Sequence, residues 1–233
     1  MKETQPQKDF YKKYTNRRDG KTSIAANGKS QDSFVFLNAN RNQPRKRLDI
    51  TLNAFKLFAE GKEDVLLYTH CGVKDSSIDI AQLSLRLGID NKLVLTNLHN
   101  GVQTVPVSAL NDIYNSADVG LNSGMGEGWS LTNIEHAMTG APQIVADHSA
   151  LTEIYSDCGI LVPTVTKFMF DNSMTVGKLI TPEALAEKME LIYTDKDLYK
   201  ELSEKSIKKF SDPMYSWEII SESWDKIFRE VLP

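Results

Sequence analysis

From Ser33 onward, short runs rich in β-branched and aromatic residues alternate with longer segments of helical period. This alternation limits the possible folds more than any other feature. Six runs are predicted to be strands: SFVFLNA, DVLLYTH, KLVLTN, DVGLN, APQIVA and GILVP. Strands that alternate with helices build a parallel sheet, because each parallel connection needs a crossover. The sequence therefore predicts an α/β domain with a parallel sheet of about six strands, closed by helices at its C-terminal end.

Helix boundaries are predicted from apolar spacing and from capping residues. One helix is expected over residues 48–60, and another from about Trp129 to Thr139. Gly88 is placed to end a helix in the left-handed conformation, and Ser108 is placed as an N-cap. Residues 163–180 have no regular pattern and are predicted to be an irregular surface insertion.

The final segment, MYSWEIISESWDKIFREVL, has the spacing of an amphipathic helix. Its apolar stripe contains Trp217, Ile220, Trp224, Ile227 and Phe228. Such a stripe must pack on something. Packing within the same domain is favoured over a surface for a partner.

The length of 233 residues suits one sizeable domain, and the formal net charge of −4 argues against nucleic acid as a partner. Residues 1–31 are basic and poor in apolar residues, so we expect an N-terminal arm or linker before a domain over residues 32–233. No apolar run approaches the ~20 residues of a membrane helix, so no transmembrane segment is expected. Cys71 and Cys158 are interpreted as reduced thiols, which favours a cytoplasmic location.

Two turns that follow predicted strands are candidate ligand sites, because ligands of open parallel sheets bind beyond the carboxyl ends of the strands. The first turn, NANRNQPRKRLD, carries Arg41, Arg45, Lys46 and Arg47. Clustered guanidinium and ammonium groups suit phosphate oxygens. The same residues would also suit a solvent-exposed charged loop, and this turn alone leaves both interpretations open.

The second turn, SGMGEGWS, leads into a predicted helix whose N-terminus would attract an anion. Its spacing fits neither a Walker phosphate loop nor the dinucleotide motif G-x-G-x-x-G. Glu127 lies in the turn and Glu135 lies further into the helix, so the two carboxylates could accept hydrogen bonds from sugar hydroxyls on either side of a bound diphosphate. Taken singly, each acid would more simply be a polar surface residue.

These motifs resemble those of the retaining glycosyltransferases of family 4. Glu127 and Glu135 reproduce the E-x7-E motif, and EGWSLTNIEHAMTGAPQIVAD is similar to the family block around it. NRNQPRKRLD resembles the phosphate turn G-R-x-x-x-x-K-G, with Arg41 and Lys46 at the matching spacing. LNDIYNSADVGLNSGMGEGW and LTEIYSDCGILVP resemble two further motifs, so the resemblance covers roughly residues 33–231.

The resemblance implies the GT-B architecture, of which this chain would be the C-terminal, Rossmann-like, three-layer donor-binding half. It implies that Glu135 holds the ribose, that Glu127 holds a hydroxyl of the transferred sugar, and that Arg41 and Lys46 hold the diphosphate. The other residues implied to contact the donor are Gly128, Trp129, Ser130 and Leu131 through backbone N–H groups, and Asn97 and Leu98 near the base. The N-terminal acceptor domain would be missing from this chain.

The chain departs from the family pattern at several positions. Asn40 and Arg47 replace the glycines that flank the phosphate turn, and Trp129-Ser130 replaces the commoner Phe-Gly. Ser149-Ala150 stands where the family often has two glycines. The Trp129 side chain either tightens the site or packs beneath it.

The implied reaction is transfer of a hexose, with retention of configuration, from a nucleoside diphosphate sugar to an acceptor. The PRK of the phosphate turn resembles members that use GDP-mannose, which favours that donor slightly over a UDP-sugar. No cofactor and no metal are expected, since the histidines lack ligand spacing and Asp195-Lys196-Asp197 is interpreted as helix capping. Two alternatives remain open: a non-catalytic nucleotide-sugar-binding module that works with a separate acceptor subunit, and an unrelated Rossmann-like binding domain.

Overall fold

The computed structural model describes residues 33–96, 101, 104–169 and 175–232, and a six-stranded sheet forms the centre of this part. The strands are β1 (Phe34–Asn38), β2 (Val65–Thr69), β3 (Leu93–Leu95), β4 (Val119–Asn122), β5 (Gln143–Ala146) and β6 (Ile160–Val162). Their order is β3-β2-β1-β4-β5-β6, and each neighbouring pair is parallel. The predicted Rossmann-like fold class is confirmed. The predicted arm, residues 1–31, lies outside the described residues.

Helices connect the strands and close the domain. They are α1 (Leu48–Phe58), α2 (Ile80–Leu87), α3 (Val107–Ser116), α4 (Leu131–Met138), α5 (Ala150–Tyr155), α6 (Pro182–Thr194), α7 (Lys196–Phe210) and α8 (Trp217–Val231). Gly88 ends α2 with a φ of 70°, as predicted, because a residue without a Cβ adopts this conformation at little cost. Asp195 caps α7 by accepting a hydrogen bond from the Leu198 N–H at 2.9 Å, which confirms the capping interpretation.

Strand β1 shows why the sheet is buried on both faces. Phe36 packs on one face in a cluster with α1 and α6 side chains, whereas Val35 and Leu37 pack on the other face against α3. Alternate residues of a strand point to opposite faces, so an all-apolar strand needs cover on both sides. The sheet therefore lies between two helical layers.

The strand order reverses between β1 and β4, since β1 crosses over to β2 on one side and β4 crosses over to β5 on the other. The carboxyl ends of two such strands leave a crevice, which is the usual ligand position in open α/β sheets. The turn after β1 is NANRNQPRKRLD, the arginine-rich turn, and the turn after β4 is SGMGEGWS, the glycine-rich turn. The topology therefore brings both sequence-predicted turns to one place.

Two local predictions are wrong. Helix α3 begins at Val107 with Pro106 as its N-cap, so Ser108 lies within the first turn; the φ of proline is already suited to a helix start. Within residues 163–180, strands β7 (Thr166–Met169) and β8 (Val176–Leu179) form an antiparallel pair. Much of this ribbon is exposed to solvent, so its sequence lacks the apolar alternation that marks a half-buried strand.

The prediction that the last helix packs within this domain is also wrong. No residue of α8 is buried, and Trp217 and Trp224 keep 79% and 55% of their surface exposed. A short 3-10 turn, Pro213–Tyr215, precedes α8, and Ser216 caps the new helix. The described residues therefore leave the apolar stripe of α8 uncovered.

Candidate functional site

The turn after β1 buries a lysine. Pro44 starts a 3-10 turn that ends at Lys46, and Arg47 then adopts a left-handed conformation (φ 49°, ψ 49°) that leads directly into α1. This path leaves Lys46 only 8% exposed. A lysine is rarely so buried without a partner, so its neighbours define the site.

Two oxygen acceptors hold the Lys46 ammonium. Its Nζ donates to Asn40 Oδ1 at 2.7 Å and forms a short ion pair with Glu127 Oε1. Burial lowers the pKa of Lys46, and the charge of Glu127 opposes this shift. Glu127 is 81 positions from Lys46 in sequence, so the fold joins the two turns through a buried charge pair.

Further hydrogen bonds fix the two turns together. The Met125 N–H donates to the Arg45 carbonyl at 2.8 Å, and Arg45 Nη1 donates to the Gly126 carbonyl at 3.1 Å. Arg45 Nη1 also lies 3.5 Å from Glu127 Oε1. Gly124 packs closely on Asn122: a Cβ there would lie 2.9 Å from Asn122 Oδ1, and two hydrogen bonds hold that side chain in place. The turns therefore form one structural unit.

The N-terminus of α4 opens from this unit and is not capped by its own N-cap side chain. Ser130, the N-cap, turns its hydroxyl inward, where it donates to Asn133 Oδ1 at 2.7 Å and accepts from Asn122 Nδ2 at 2.9 Å. The first N–H groups of a helix have no acceptor within the helix and carry a partial positive charge. This end of α4 can therefore receive an anion.

Both acids of the glycine-rich turn and α4 are held by hydrogen bonds. Ser149 holds the backbone of Glu127, and Tyr114 holds the carboxylate of Glu135. The Glu127 N–H donates to Ser149 Oγ at 3.0 Å, which ties the glycine-rich turn to the start of α5. Tyr114 Oη donates to Glu135 Oε2 at 2.8 Å. Burial raises the pKa of Tyr114, and Glu135 adds to the effect, so the phenol remains protonated and can donate. Sequence reasoning missed both contacts, although Tyr114 lies in the quoted LNDIYNSAD motif.

Arg41 is paired with a different acid, Asp75. Its Nε donates to Asp75 Oδ2 at 2.6 Å and its Nη2 to Asp75 Oδ1 at 3.3 Å. The Arg41 guanidinium holds the pKa of the Asp75 carboxyl below its usual range. The Arg41 side chain is 48% exposed, so it would have to leave Asp75 to bind another anion through the same face.

The other predicted contact residues are divided between the surface and the undescribed part of the chain. Leu131 is 59% exposed, Gly128 is exposed, and Trp129 is 45% exposed with its ring 6.0 Å from that of Tyr215. Trp129 therefore does not pack in the core. Asn97 and Leu98 lie outside the described residues. The base-side segment can be followed only to Thr96, whose Oγ1 lies 2.6 Å from His70 Nδ1.

Three non-glycine residues adopt a positive φ in the described part of the chain, and all three border this site. They are Arg47 (49°), Ser130 (59°) and Ser149 (55°). Each stands at a position where the family that the sequence resembles commonly has glycine. A positive φ costs about 1–2 kcal/mol for a residue with a Cβ, and such strain concentrates at functional sites.

Neither a metal-binding cluster nor a membrane-spanning helix is found among the residues that the structure describes. No group of three or more His, Cys, Asp or Glu side chains there is arranged to hold a metal ion. In the same residues, no helix is both long and apolar enough to cross a bilayer.

The parallel strand order, with helices on both faces, is that of a Rossmann-like α/β domain. Its charged side chains lie at the switch point, where such domains bind ligands. A family model described as glycosyl transferases group 1 matches residues 19–209. The chain therefore belongs to this family. Among curated proteins, no sequence matches the chain.

Several solved glycosyltransferase structures share the fold. Sucrose-phosphate synthase from Thermosynechococcus elongatus matches with a TM-score of 0.66 and 19% identity over 86% of this chain and 46% of that chain. Anabaena HepE, solved with UDP and glucose, matches with a TM-score of 0.61 and 14% identity over 84% and 49%. The C-terminal domain of a group 1 glycosyl transferase, LpcC from Francisella tularensis, matches with a TM-score of 0.59 and 13% identity over 79% and 87%. The chain thus spans about half the length of the two longer proteins.

Proposed function

We propose that this chain, over residues 32–233, is the donor-binding domain of a retaining, family 4 glycosyltransferase that transfers a hexose. The observation that carries the proposal is the meeting of Lys46 and Glu127 beside the open N-terminus of α4, at the switch point of the sheet. A buried cation, a carboxylate and a helix N-terminus suit a ligand that carries both phosphate oxygens and hydroxyl groups. A nucleoside diphosphate sugar is such a ligand.

Each group then has a role in binding. Lys46 and Arg41 bind the diphosphate, and the N–H groups of Gly128, Trp129, Ser130 and Leu131 support it. Glu127 accepts a hydrogen bond from a hydroxyl of the transferred sugar. Glu135, oriented by Tyr114, accepts hydrogen bonds from the ribose. Asn97 and Leu98 contact the base.

The same groups would assist the reaction. When the bond to the anomeric carbon breaks, negative charge grows on the leaving diphosphate. A fixed ammonium and the positive end of a helix stabilise that charge more in the transition state than in the ground state. We therefore propose a reaction in which Lys46 and α4 take the place of a metal ion, without a cofactor.

GDP-mannose is the proposed donor, and a UDP-sugar is the second candidate. The PRK of the phosphate turn favours GDP-mannose through its resemblance to members that use it. The similar structure of HepE was solved with UDP and glucose, which supports a UDP-sugar. The two donors differ in base and sugar, so direct titration distinguishes them.

The acceptor half is proposed to come from elsewhere. The chain covers 46% of sucrose-phosphate synthase but 87% of the LpcC C-terminal domain. This coverage supports an N-terminal acceptor domain that the present chain does not contain. It also supports a second candidate function, a non-catalytic nucleotide-sugar-binding module that works with a separate acceptor subunit.

The proposed compartment is the cytoplasm. Cys71 and Cys158 are free and buried, and unpaired thiols are typical of a reducing compartment. With a formal net charge of −4, nucleic acid is not a proposed partner.

Calorimetric titration with GDP-mannose, UDP-glucose and UDP-N-acetylglucosamine tests the proposal. We expect one donor to bind without appreciable transfer, because the proposed acceptor domain would supply the other half of the cleft. Lys46→Ala should abolish or strongly weaken binding, whereas Lys56→Ala, which removes an exposed lysine of α1, should leave it unchanged. A folded wild-type protein that binds none of the three donors would refute the proposal.

A further inference from the structure

A buried amide stands beside the Lys46 ammonium. Asn40 is 2% exposed, and its Oδ1 accepts a hydrogen bond from Lys46 Nζ at 2.7 Å. The Asn40 Nδ2 and backbone N–H both donate to Asn38 Oδ1, at 2.9 and 3.1 Å. The amide therefore cannot rotate freely, and its oxygen faces Lys46.

The network below Asn40 is anchored in regular structure. Asn38 is the last residue of β1 and is fully buried, and its Nδ2 donates to Thr51 Oγ1 in α1 at 2.9 Å. Thr51 Oγ1 lies 2.8 Å from Ser123 Oγ, and Ser123 Oγ donates to the Lys46 carbonyl at 3.1 Å. A chain of satisfied buried hydrogen bonds of this kind is rigid.

The anchored Asn40 and Glu127 do not use up the hydrogen-bonding capacity of Lys46. An ammonium has three donors, and Asn40 and Glu127 occupy two of them in the described structure. The third donor remains for a ligand oxygen. A lysine stem is flexible, and immobilising a long side chain on binding costs conformational entropy. A lysine that is already immobilised avoids that cost.

We propose that Asn40 is a positioning residue that holds the Lys46 ammonium in place for the diphosphate of the donor. The inference rests on the proposed function. The glycine that the family commonly has at this position offers no side-chain acceptor, so the device belongs to this chain rather than to the phosphate turn in general. Asn40 itself need not touch the ligand.

A double-mutant cycle tests the role. Titrations with GDP, UDP and the corresponding nucleosides are compared for the wild type, Asn40→Ala, Lys46→Ala and the double variant. We expect Asn40→Ala to weaken diphosphate binding about 3- to 10-fold, roughly the cost of immobilising one long side chain on binding, and to leave nucleoside binding unchanged. In the Lys46→Ala background the Asn40→Ala change should have no further effect.

Asn42→Ala is the matched control. Asn42 lies in the same turn and is fully buried, but its Nδ2 donates to the carbonyls of Gly72, Val73 and Ile78 instead of holding Lys46. Any loss of diphosphate affinity caused by Asn42→Ala should therefore also appear when it is combined with Lys46→Ala. An Asn40→Ala effect that also persists there would mean a merely structural role and would overturn the proposal.

A second readout does not depend on the ligand. The pKa of Lys46 can be followed by NMR of ε-¹³C-labelled lysines, with Lys46→Ala to assign the resonance. Glu127 and Arg45 are the charged groups that face Lys46 and remain in Asn40→Ala. Because Asn40 stabilises the charged ammonium, its loss should lower the pKa of Lys46 further; an unchanged pKa would overturn the positioning role. Failure of the wild type to bind any nucleoside diphosphate would overturn the proposed function and the diphosphate as the partner of Lys46.

Discussion

Tyr114 Oη donates to Glu135 Oε2 at 2.8 Å and so links α3 to α4. Tyr114 is 4% exposed and its ring stacks on that of His136 at 5.7 Å, so the phenol is held firmly. Glu135 is exposed. The buried phenol therefore orients the exposed carboxylate of Glu135.

Tyr114→Phe should therefore weaken nucleotide binding about 3- to 10-fold, the range of one ordinary hydrogen bond, because the lost bond orients Glu135 and does not itself contact the ligand. Tyr193→Phe is the control, because its hydroxyl donates to Asp64, directly before β2, and to neither acid of the site. Calorimetric titration of both variants with the preferred nucleoside diphosphate checks the prediction. Equal affinities for the two variants would contradict a role for Tyr114 in orienting Glu135.

Arg41 should contribute less to diphosphate binding than Lys46, since it is half exposed and already paired with Asp75. Arg41→Ala is expected to weaken binding less than Lys46→Ala. Asp75→Ala should tighten binding slightly, because it removes the competing carboxylate, and should leave the free energy of unfolding nearly unchanged, since exposed ion pairs stabilise little. If Arg41→Ala abolished binding while Lys46→Ala did not, the ranking of the two cations would be wrong.

Replacing Arg47 by glycine should raise the free energy of unfolding by about 0.5–1 kcal/mol. Its φ of 49° is strained for a residue with a Cβ, and the lost ion pair to Asp49 lies near the surface. Gly61→Ala is the opposite test, because Gly61 has a φ of 72° in open space and alanine there should destabilise by a similar amount. Urea denaturation measures both, and a less stable Arg47→Gly variant would contradict the strain argument.

Stability should fall in mild acid because of His70. Burial lowers the pKa of His70 to about 4 from the usual 6.5, so between these values the unfolded chain binds a proton that the folded chain does not. The free energy of unfolding should therefore decrease as pH falls from about 6.5 to about 4, by up to about 3 kcal/mol from this group. Urea titrations of the wild type and His70→Asn over this range should show a smaller loss in the variant. An identical pH dependence would contradict the burial of a neutral imidazole.

The six strands could be predicted because burial on both faces demands continuous apolar residues, which a single sequence displays directly. Strands β7 and β8 could not, since the exposed positions of the ribbon accept almost any residue. The pairs Arg41–Asp75 and Tyr114–Glu135 join residues from separate turns and helices. The distance between such residues in the folded chain cannot be read from residue type alone. The exposed stripe of α8 was misjudged because an amphipathic pattern shows that a face needs cover but not where the cover comes from.

The two turns that form the site were predictable for a different reason. Clustered cations after β1 and glycines with acids after β4 are local signals, and the parallel sheet places the ends of both strands at one edge. The direct Lys46–Glu127 pair, and the hydrogen bonds of Asn40 and Ser149 around it, are visible only in three dimensions.

The most direct test of the central claim is one set of calorimetric titrations, with a nucleoside diphosphate sugar and with the bare nucleoside diphosphate, on the wild type, Glu127→Ala and Glu135→Ala. We predict that Glu135→Ala weakens both ligands by the same factor, because both carry the ribose. Glu127→Ala should instead lose most of the preference for the sugar-bearing ligand, because Glu127 contacts the sugar. Equal losses of preference in the two variants, or an unchanged preference in Glu127→Ala, would contradict the account.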